Sequence, residues 1–275
     1  MKKILFPTDF SEVANNAFVY ALKLADAIGA EIITLHVYEL PQLDYMNVPV
    51  YLLDIYEVTE LSNFENYKHH IPVLRSLAEE FNLEHIKISN VLENGNLIDN
   101  IHKIATDDHI DYIVMGTKGV ESFAATFLGS VTEKVMHHSK TTVLAIPKEC
   151  SFEPIKSILF ITKYKSSDQL QLQKVIELAY IFHSHIDCLY VAAFDKLDER
   201  LITDWQQAVN YEDIAFHNIP SEDVEGGILN FIDSNNIDML AMALHQKGFF
   251  EGLFHISLSK KLAFHVTIPI LAMHE

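Results

Sequence analysis

The strongest chemical signal in the chain lies in four small residues. Gly116 and Gly119 follow a short apolar run, and Gly129-Ser130 opens a helical one, in the spacing Gly116-x2-Gly119-x9-Gly129-Ser130. Glycine lets a backbone approach a phosphate closely, and a helix N-terminus offers unpaired N–H groups and the positive end of a dipole. Phosphate binding is therefore the chemistry open to this stretch. Ser130-Val131-Thr132-Glu133 fits a capping box equally well, in which Ser130 only starts a helix. Neither GxxxxGK[ST] nor GxGxxG occurs, which excludes a P-loop and a dinucleotide fingerprint.

Other chemistry has less support. GxSxG, HExxH and the kinase motifs are missing, so no catalytic residue is assigned. Asp9, in Pro7-Thr8-Asp9-Phe10-Ser11, is a carboxylate at the carboxyl end of a strand, where ligands of open α/β sheets bind. Hydrolysis of a nucleotide needs a base and a metal ligand. Asp9 is the nearest candidate carboxylate, and slow turnover is the most to expect. The 15 histidines include His69-His70, His137-His138 and His183-x-His185. His183 and His185 fall where a helix ends and a strand begins, and His245, His255 and His265 could converge on one loop. None has a Cys or carboxylate partner at zinc spacing, so no metal site is assigned. The two cysteines, Cys150 and Cys188, form no CxxC and read as bystanders of a reducing compartment.

These residues are positioned by a duplicated framework. Ile4-Leu5-Phe6 matches Ile158-Leu159-Phe160, and Leu35-His36-Val37 matches Leu189-Tyr190-Val191, both at an offset of 154. Asp111–Met115 matches Asp238–Met242, and Val143-Leu144-Ala145 matches Ile270-Leu271-Ala272, at an offset of 127. The second half is a copy shorter by 27 residues, with the deletion between about 38 and 85. Pro147, Cys150 and Pro154 bracket a short linker, which divides the chain into domains 1–149 and 155–275.

Each copy alternates strands and helices. In the first, the periodicity predicts strands at Lys3–Thr8, Glu31–Tyr38, His85–Val91, Asp111–Met115 and Thr142–Ile146. Ser11 caps a helix that Gly29 ends, and another runs over Asn96–Asp108. A long helix spans about Tyr56–Phe81, with Pro72 kinking or breaking it. The apolar stretch within Leu40–Asn66, including Tyr45, Met46 and Tyr51, fits a lid, a partner surface or, as the simplest of the three, packing beneath that helix. Strand–helix alternation means parallel sheets covered on both faces. The fold class is α/β, with two tandem five-stranded, mostly parallel, Rossmann-like sandwich domains. Ligands of such sheets bind beyond the carboxyl ends of the strands, where Asp9, Val37 and Gly116 fall.

Composition narrows the partners. Thirty-eight acidic residues against 20 Lys/Arg give a formal charge of −18, which disfavours nucleic acid and anionic membrane surfaces. Half the residues are hydrophobic (49%), enough for a packed core, and no apolar run reaches the roughly 18 residues of a bilayer span. The apolar N-terminal run stops at Pro7 and Asp9, short of a signal-peptide core. A cytoplasmic protein is expected.

The glycine spacing resembles the G-x2-G-x9-G-[ST] nucleotide-binding signature of the universal stress protein family, without a gap. The opening ILFPTDFS resembles that family's first strand, and GSVTEKVMHHSKTTVLAIP its closing helix and fifth strand. The resemblance covers essentially the whole chain and implies a tandem member, with the adenine nucleotide alpha hydrolase-like arrangement and an internal pseudo-dimer through the two fifth strands. It implies that Asp9, beside Pro7 and Thr8, faces the adenosine, and that the Val37 backbone bonds the adenine. Met115 and Gly116 then lie along the ribose, and Gly119, Gly129, Ser130 and Val131 hold the phosphates. The family often carries a basic residue after the second glycine. Here that residue is Val120, and Lys118 is the alternative cation, or simply a solvated loop lysine.

In the second copy Lys163 replaces Asp9, Ala243 replaces Gly116, Gln246 replaces Gly119 and Ile256 replaces Gly129, while Ser257 matches Ser130. That copy is expected not to bind nucleotide in the family manner. The implied ligand is ATP, with AMP or ADP as alternatives and magnesium as companion ion. The implied role is a stress-response regulatory module with an unidentified protein partner and, as an alternative, further homodimerisation. A slow ATPase and a nucleotide-free scaffold or small-ligand carrier are the competing readings.

Overall fold

The computed structural model describes residues 1–40, 50–117, 130–148, 150–164, 166, 168–192, 199–244 and 268–274, without the side chains of 50–57, 130, 192, 199 and 201. These residues form two compact units, Met1–Met115 and Gly116–Glu275.

The first unit contains β1 (Lys2–Pro7), α1 (Glu12–Ile28), β2 (Ala30–Tyr38), α2 (Val50–Glu80), β3 (Ile88–Asn94), α3 (Leu97–Asp107) and β4 (Tyr112–Gly116), whose last residue begins the second unit. Its strands run in the order β3-β2-β1-β4, all parallel. Ile4, Leu5 and Phe6 of the central β1 are wholly buried, as a strand covered on both faces requires. The apolar stripe of α1 buries Ala14, Ala17, Phe18, Ala21, Leu22 and Ala25, and Phe18 meets Phe6 with ring centroids 5.0 Å apart.

The second unit contains α4 (Ser130–His138), β5 (Thr142–Ile146), β6 (Ser157–Ile161), α5 (Asp168–Phe182), β7 (His185–Ala192), α6 (Glu199–Ala208), β8 (Ile214–Pro220), α7 (Val224–Asn235), β9 (Met239–Leu244) and β10 (Ile270–His274). The strand order is β5-β10-β9-β6-β7-β8. All pairs are parallel except β5–β10, which is antiparallel with Leu271 opposite Leu144. The expected pairing of the two fifth strands is thus present. The architecture is a mostly parallel α/β fold.

The duplication extends to individual hydrogen bonds. The Thr8 N–H donates to the Leu35 carbonyl at 2.8 Å, and the Thr162 N–H to the Leu189 carbonyl at 3.1 Å. The Asp111 carboxylate accepts from the Lys3 N–H, and the Asp238 carboxylate from the Lys156 and Ser157 N–H groups. Asn96 caps α3, and Asp223 caps α7. Ser11 caps α1 as expected, and Gly29 ends it at φ 65. The residue equivalent to Gly29 is His183, which takes the same left-handed conformation at φ 55.

Three local expectations shift. The third strand begins at Ile88 rather than His85 and runs to Asn94. Ile86 is not a strand residue; it is buried in a turn in which its N–H donates to the Leu83 carbonyl. The long helix begins at Val50, earlier than Tyr56, and continues through Pro72. Proline forfeits one helical hydrogen bond there, while Tyr67, Leu74 and Ala78, buried on both sides of it, keep the helix packed. His183 lies in the turn after α5, and His185 is the first residue of β7. Cys188 is buried in β7 and Cys150 is buried in the linker. Tyr45, Met46, His245, His255 and His265 lie outside the described residues.

Candidate ligand site at the strand ends

In the first unit the site begins where β1 stops. Pro7 and Thr8 are buried and Asp9 is exposed. Thr8 holds the turn through three bonds. Its N–H is tied to β2, its Oγ1 accepts from the Phe10 N–H at 3.0 Å, and its carbonyl accepts from His36 Nδ1 at 2.8 Å. A carbonyl only accepts, so Nδ1 carries the hydrogen when the ring is neutral. The Asp9 carboxylate accepts from the Ser11 N–H at 3.0 Å, and Ser11 Oγ accepts from the Ala14 N–H. Asp9 is therefore an outward-facing carboxylate on a turn fixed at both ends, next to the positive end of α1.

Phe10 sits at φ 60. A left-handed conformation is unfavourable for a bulky side chain by roughly 1–2 kcal/mol. Its ring is held in return: it stacks on His70 (4.7 Å, 11°) and packs on His36 (5.1 Å) and Tyr67 (5.9 Å). α2 supplies Tyr67 and His70, so the long helix anchors the underside of the turn. Burial raises the pKa of the Tyr67 phenol. Val37 is half-buried near the end of β2, and Met115 is buried in β4.

In the second unit, Gly116 and the start of α4 are joined by one side chain. Thr132 Oγ1, in the first turn of α4, donates to the Gly116 carbonyl at 2.9 Å. The Thr117 N–H donates to the Ile146 carbonyl at 2.9 Å, tying the residue after Gly116 to β5. α4 begins at Ser130, with Val131 half-buried behind it and Glu133 in its first turn. Lys118, Gly119 and Gly129 lie outside the described residues, as do Gln246, Ile256 and Ser257.

The second copy rebuilds the β1 turn with different chemistry. Thr162 Oγ1 accepts from the Tyr164 N–H at 2.8 Å, and Tyr164 sits at φ 52. Its ring packs on Trp205 (5.1 Å) and Tyr190 (6.0 Å). The exposed residue at the tip is Lys163, not a carboxylate. Beneath it the buried Asp168 accepts from Thr162 Oγ1 (2.8 Å) and from the Lys163 N–H (3.1 Å). Among the described residues, no group of three or more His, Cys, Asp or Glu is arranged to hold a metal ion.

Sequence reasoning passed over the rings under the turn. Motif spacing points to His69-His70 as a pair, whereas His70 works with Phe10, His36 and Tyr67. The duplication held a usable signal, because Phe10 matches Tyr164 and His36 matches Tyr190 at the 154-residue offset. Two copies that both keep rings at both positions mark a packed pair.

Comparison with known proteins agrees with this framework. The sequence profile of the universal stress protein family matches residues 1–147. Universal stress protein MJ0577 of Methanocaldococcus jannaschii is 30% identical over 157 residues, covering 54% of this chain and 97% of that protein. Universal stress protein Slr1230 of Synechocystis is 22% identical over 291 residues, covering 98% of this chain and 99% of its own length. A crystal structure of a universal stress protein from Archaeoglobus fulgidus shares the fold, with a TM-score of 0.75 at 20% identity over 99% of this chain and 98% of that one. With the profile spanning the first copy and a full-length relative spanning both, the chain belongs to the universal stress protein family.

Proposed function

We propose that this chain is an adenine-nucleotide-binding regulatory module whose first copy binds the nucleotide and whose second copy does not. The observation that carries this reading is the contrast at one turn. Both copies build the same Thr-anchored turn at the carboxyl end of their first strand, but the exposed tip is Asp9 in one and Lys163 in the other. A carboxylate accepts hydrogen bonds from sugar hydroxyls, and a lysine cannot. The complete Gly116, Gly119, Gly129, Ser130 set likewise occurs only in the first copy.

In this reading Asp9 binds the adenosine, with Pro7 and Thr8 shaping the turn. The Val37 backbone reads the adenine, and Met115 and Gly116 flank the ribose. Gly119, Gly129, Ser130 and Val131 hold the phosphates with Lys118 as counter-charge. ATP with magnesium is the first ligand to test, and AMP and ADP are its rivals. The domains are 1–149 and 155–275, the protein works in the cytoplasm in stress response, and nucleotide occupancy changes contact with a protein partner.

The test is to purify the native chain, denature it and identify released nucleotide by mass spectrometry, beside a Gly116→Val, Gly129→Val variant. About one adenine nucleotide per chain, lost in the variant, is the expected result. Two per chain would refute the silent second copy. None, with no binding on adding ATP and magnesium, would leave a nucleotide-free scaffold or carrier in front.

A further inference from the structure

The second unit contains a partly exposed ionic cluster, built on one buried carboxylate, that its own repeat does without. His185 Nδ1 lies 2.6 Å from Asp213 Oδ1, and His185 Nε2 lies 3.3 Å from Asp187 Oδ1. His217 Nε2 lies 2.7 Å from the same Asp187 oxygen. Asp187 is buried, with its side chain 10% exposed. The first copy shows what the fold itself needs here. Strand register makes Glu31, Ile33, Lys87 and Val91 the equivalents of His185, Asp187, Asp213 and His217. Ile32 N–H to Lys87 carbonyl and Ile186 N–H to Asp213 carbonyl are the matching ladder bonds. At these places the first copy has a Glu31–Lys87 ion pair, 2.5 Å apart, beside two apolar residues. Lysine stays charged through the neutral range. The second copy reverses the pair and makes its cation an imidazole, which does not.

We propose that His185 is a proton-operated clamp, which fastens β8 and the start of β7 when protonated and releases them when neutral. The donor count supports it. Both ring nitrogens of His185 face carboxylate oxygens, and a neutral imidazole has only one N–H. Neutral His185 leaves a lone pair against one carboxylate, whereas imidazolium satisfies both. His217 meets Asp187 with a single nitrogen, so it donates while neutral, and its ring packs edge-on against Phe231 of α7 at 4.9 Å. The cluster thereby joins β7, the segment before β8, β8 itself and α7.

The surrounding groups favour the proton. Asp187 is on the same strand, and Glu212, Asp213 and Tyr211 lie in the segment before β8. Tyr211 donates its hydroxyl to the Ser184 carbonyl at 2.5 Å. On the other side Ser157 of β6 is the register partner of His185, and Lys156, just before it, is exposed. α7 contributes buried Glu225 and exposed Asp233. Burial lowers the pKa of His185, but the Asp213 hydrogen bond and the Asp187 charge outweigh it, so the value is raised. With a raised folded value, the clamp is complete below the ordinary imidazole value of about 6.5 and is lost as pH rises through the folded value.

Hydrogen exchange of the full chain tests this, read at peptides spanning 212–220 between pH 5.5 and 8.5 and corrected for intrinsic exchange. His185 is titrated in parallel by imidazole NMR. Protection of β8 should fall as His185 deprotonates, about ten-fold for each pH unit by which its midpoint is raised. Asp213→Asn should move that step to lower pH. His185→Lys, which restores a non-titrating cation, should hold protection constant to pH 8.5. Flat protection in the unsubstituted chain, or an unchanged step in His185→Lys, overturns the proposal. If neither variant folds, the unsubstituted chain decides alone, because a β8 step away from the His185 midpoint also overturns it.

Discussion

Thr8 Oγ1 accepts a hydrogen bond from the Phe10 N–H, and that bond holds an aromatic residue in the left-handed region at φ 60. The same bond joins Thr162 to Tyr164 at φ 52. Strained backbone of this kind persists only where its surroundings over-determine it, and here a hydroxyl above and a ring cluster below do so. The strain turns Phe10 inward and leaves Asp9 outward.

Replacing either threonine tests this device. Thr8→Val should destabilise the chain by about 1 kcal/mol, the usual worth of one such hydrogen bond, and Thr162→Val by about 2–3 kcal/mol, because its hydroxyl also donates to the buried Asp168 carboxylate. Only Thr8→Val should also weaken adenine-nucleotide binding. Denaturant unfolding and titration calorimetry separate the two effects.

Asp9→Ala removes the outward carboxylate and leaves the Thr8 turn in place. A hydrogen bond to a charged group is worth about 1.5–3 kcal/mol, so affinity should fall about ten- to hundred-fold with little change in unfolding midpoint. Lys163→Ala should leave nucleotide affinity unchanged. Calorimetry with ATP, ADP and AMP measures both.

The ends of the first helix in each copy predict opposite signs. Gly29→Ala places a side chain at φ 65 and should destabilise by about 1 kcal/mol. His183→Gly relieves a side chain at φ 55 and should stabilise by about 0.5–1 kcal/mol. Thermal unfolding of the two variants beside the parent reads the difference.

Acid should act on the first unit in the sense opposite to His185. The hydrogen bond from Lys87 lowers the pKa of Glu31 from 4.5; burial opposes this, and the Lys87 and Lys3 charges add to it. A lowered folded value gives stability that is present above about 4.5 and lost as pH falls through the folded value. Urea unfolding from pH 3 to 6 should show that loss, and Glu31→Gln should flatten it.

Local signals in the sequence carried the repeating units. Apolar runs at β1, β2 and β5, the Ser11 cap, the Gly29 stop and the two-offset duplication are read from neighbouring residues, because they arise from local periodicity and capping. The β3 boundary misled, because Ile86 is as apolar in a buried turn as in a strand.

Spacing and periodicity along the chain suffice to mark a duplicated α/β protein with a family glycine motif in one copy only. Which distant side chains meet, across strands or between a turn and a helix, follows only from the folded arrangement. Phe10 finds His36, Tyr67 and His70, and His185 and Asp187 find Asp213 and His217, through partners 26 to 60 residues apart. For the strand residues the deciding factor is register. A parallel strand alternates its faces every residue, so which residue lies opposite His185 depends on pairing that no short stretch of sequence encodes.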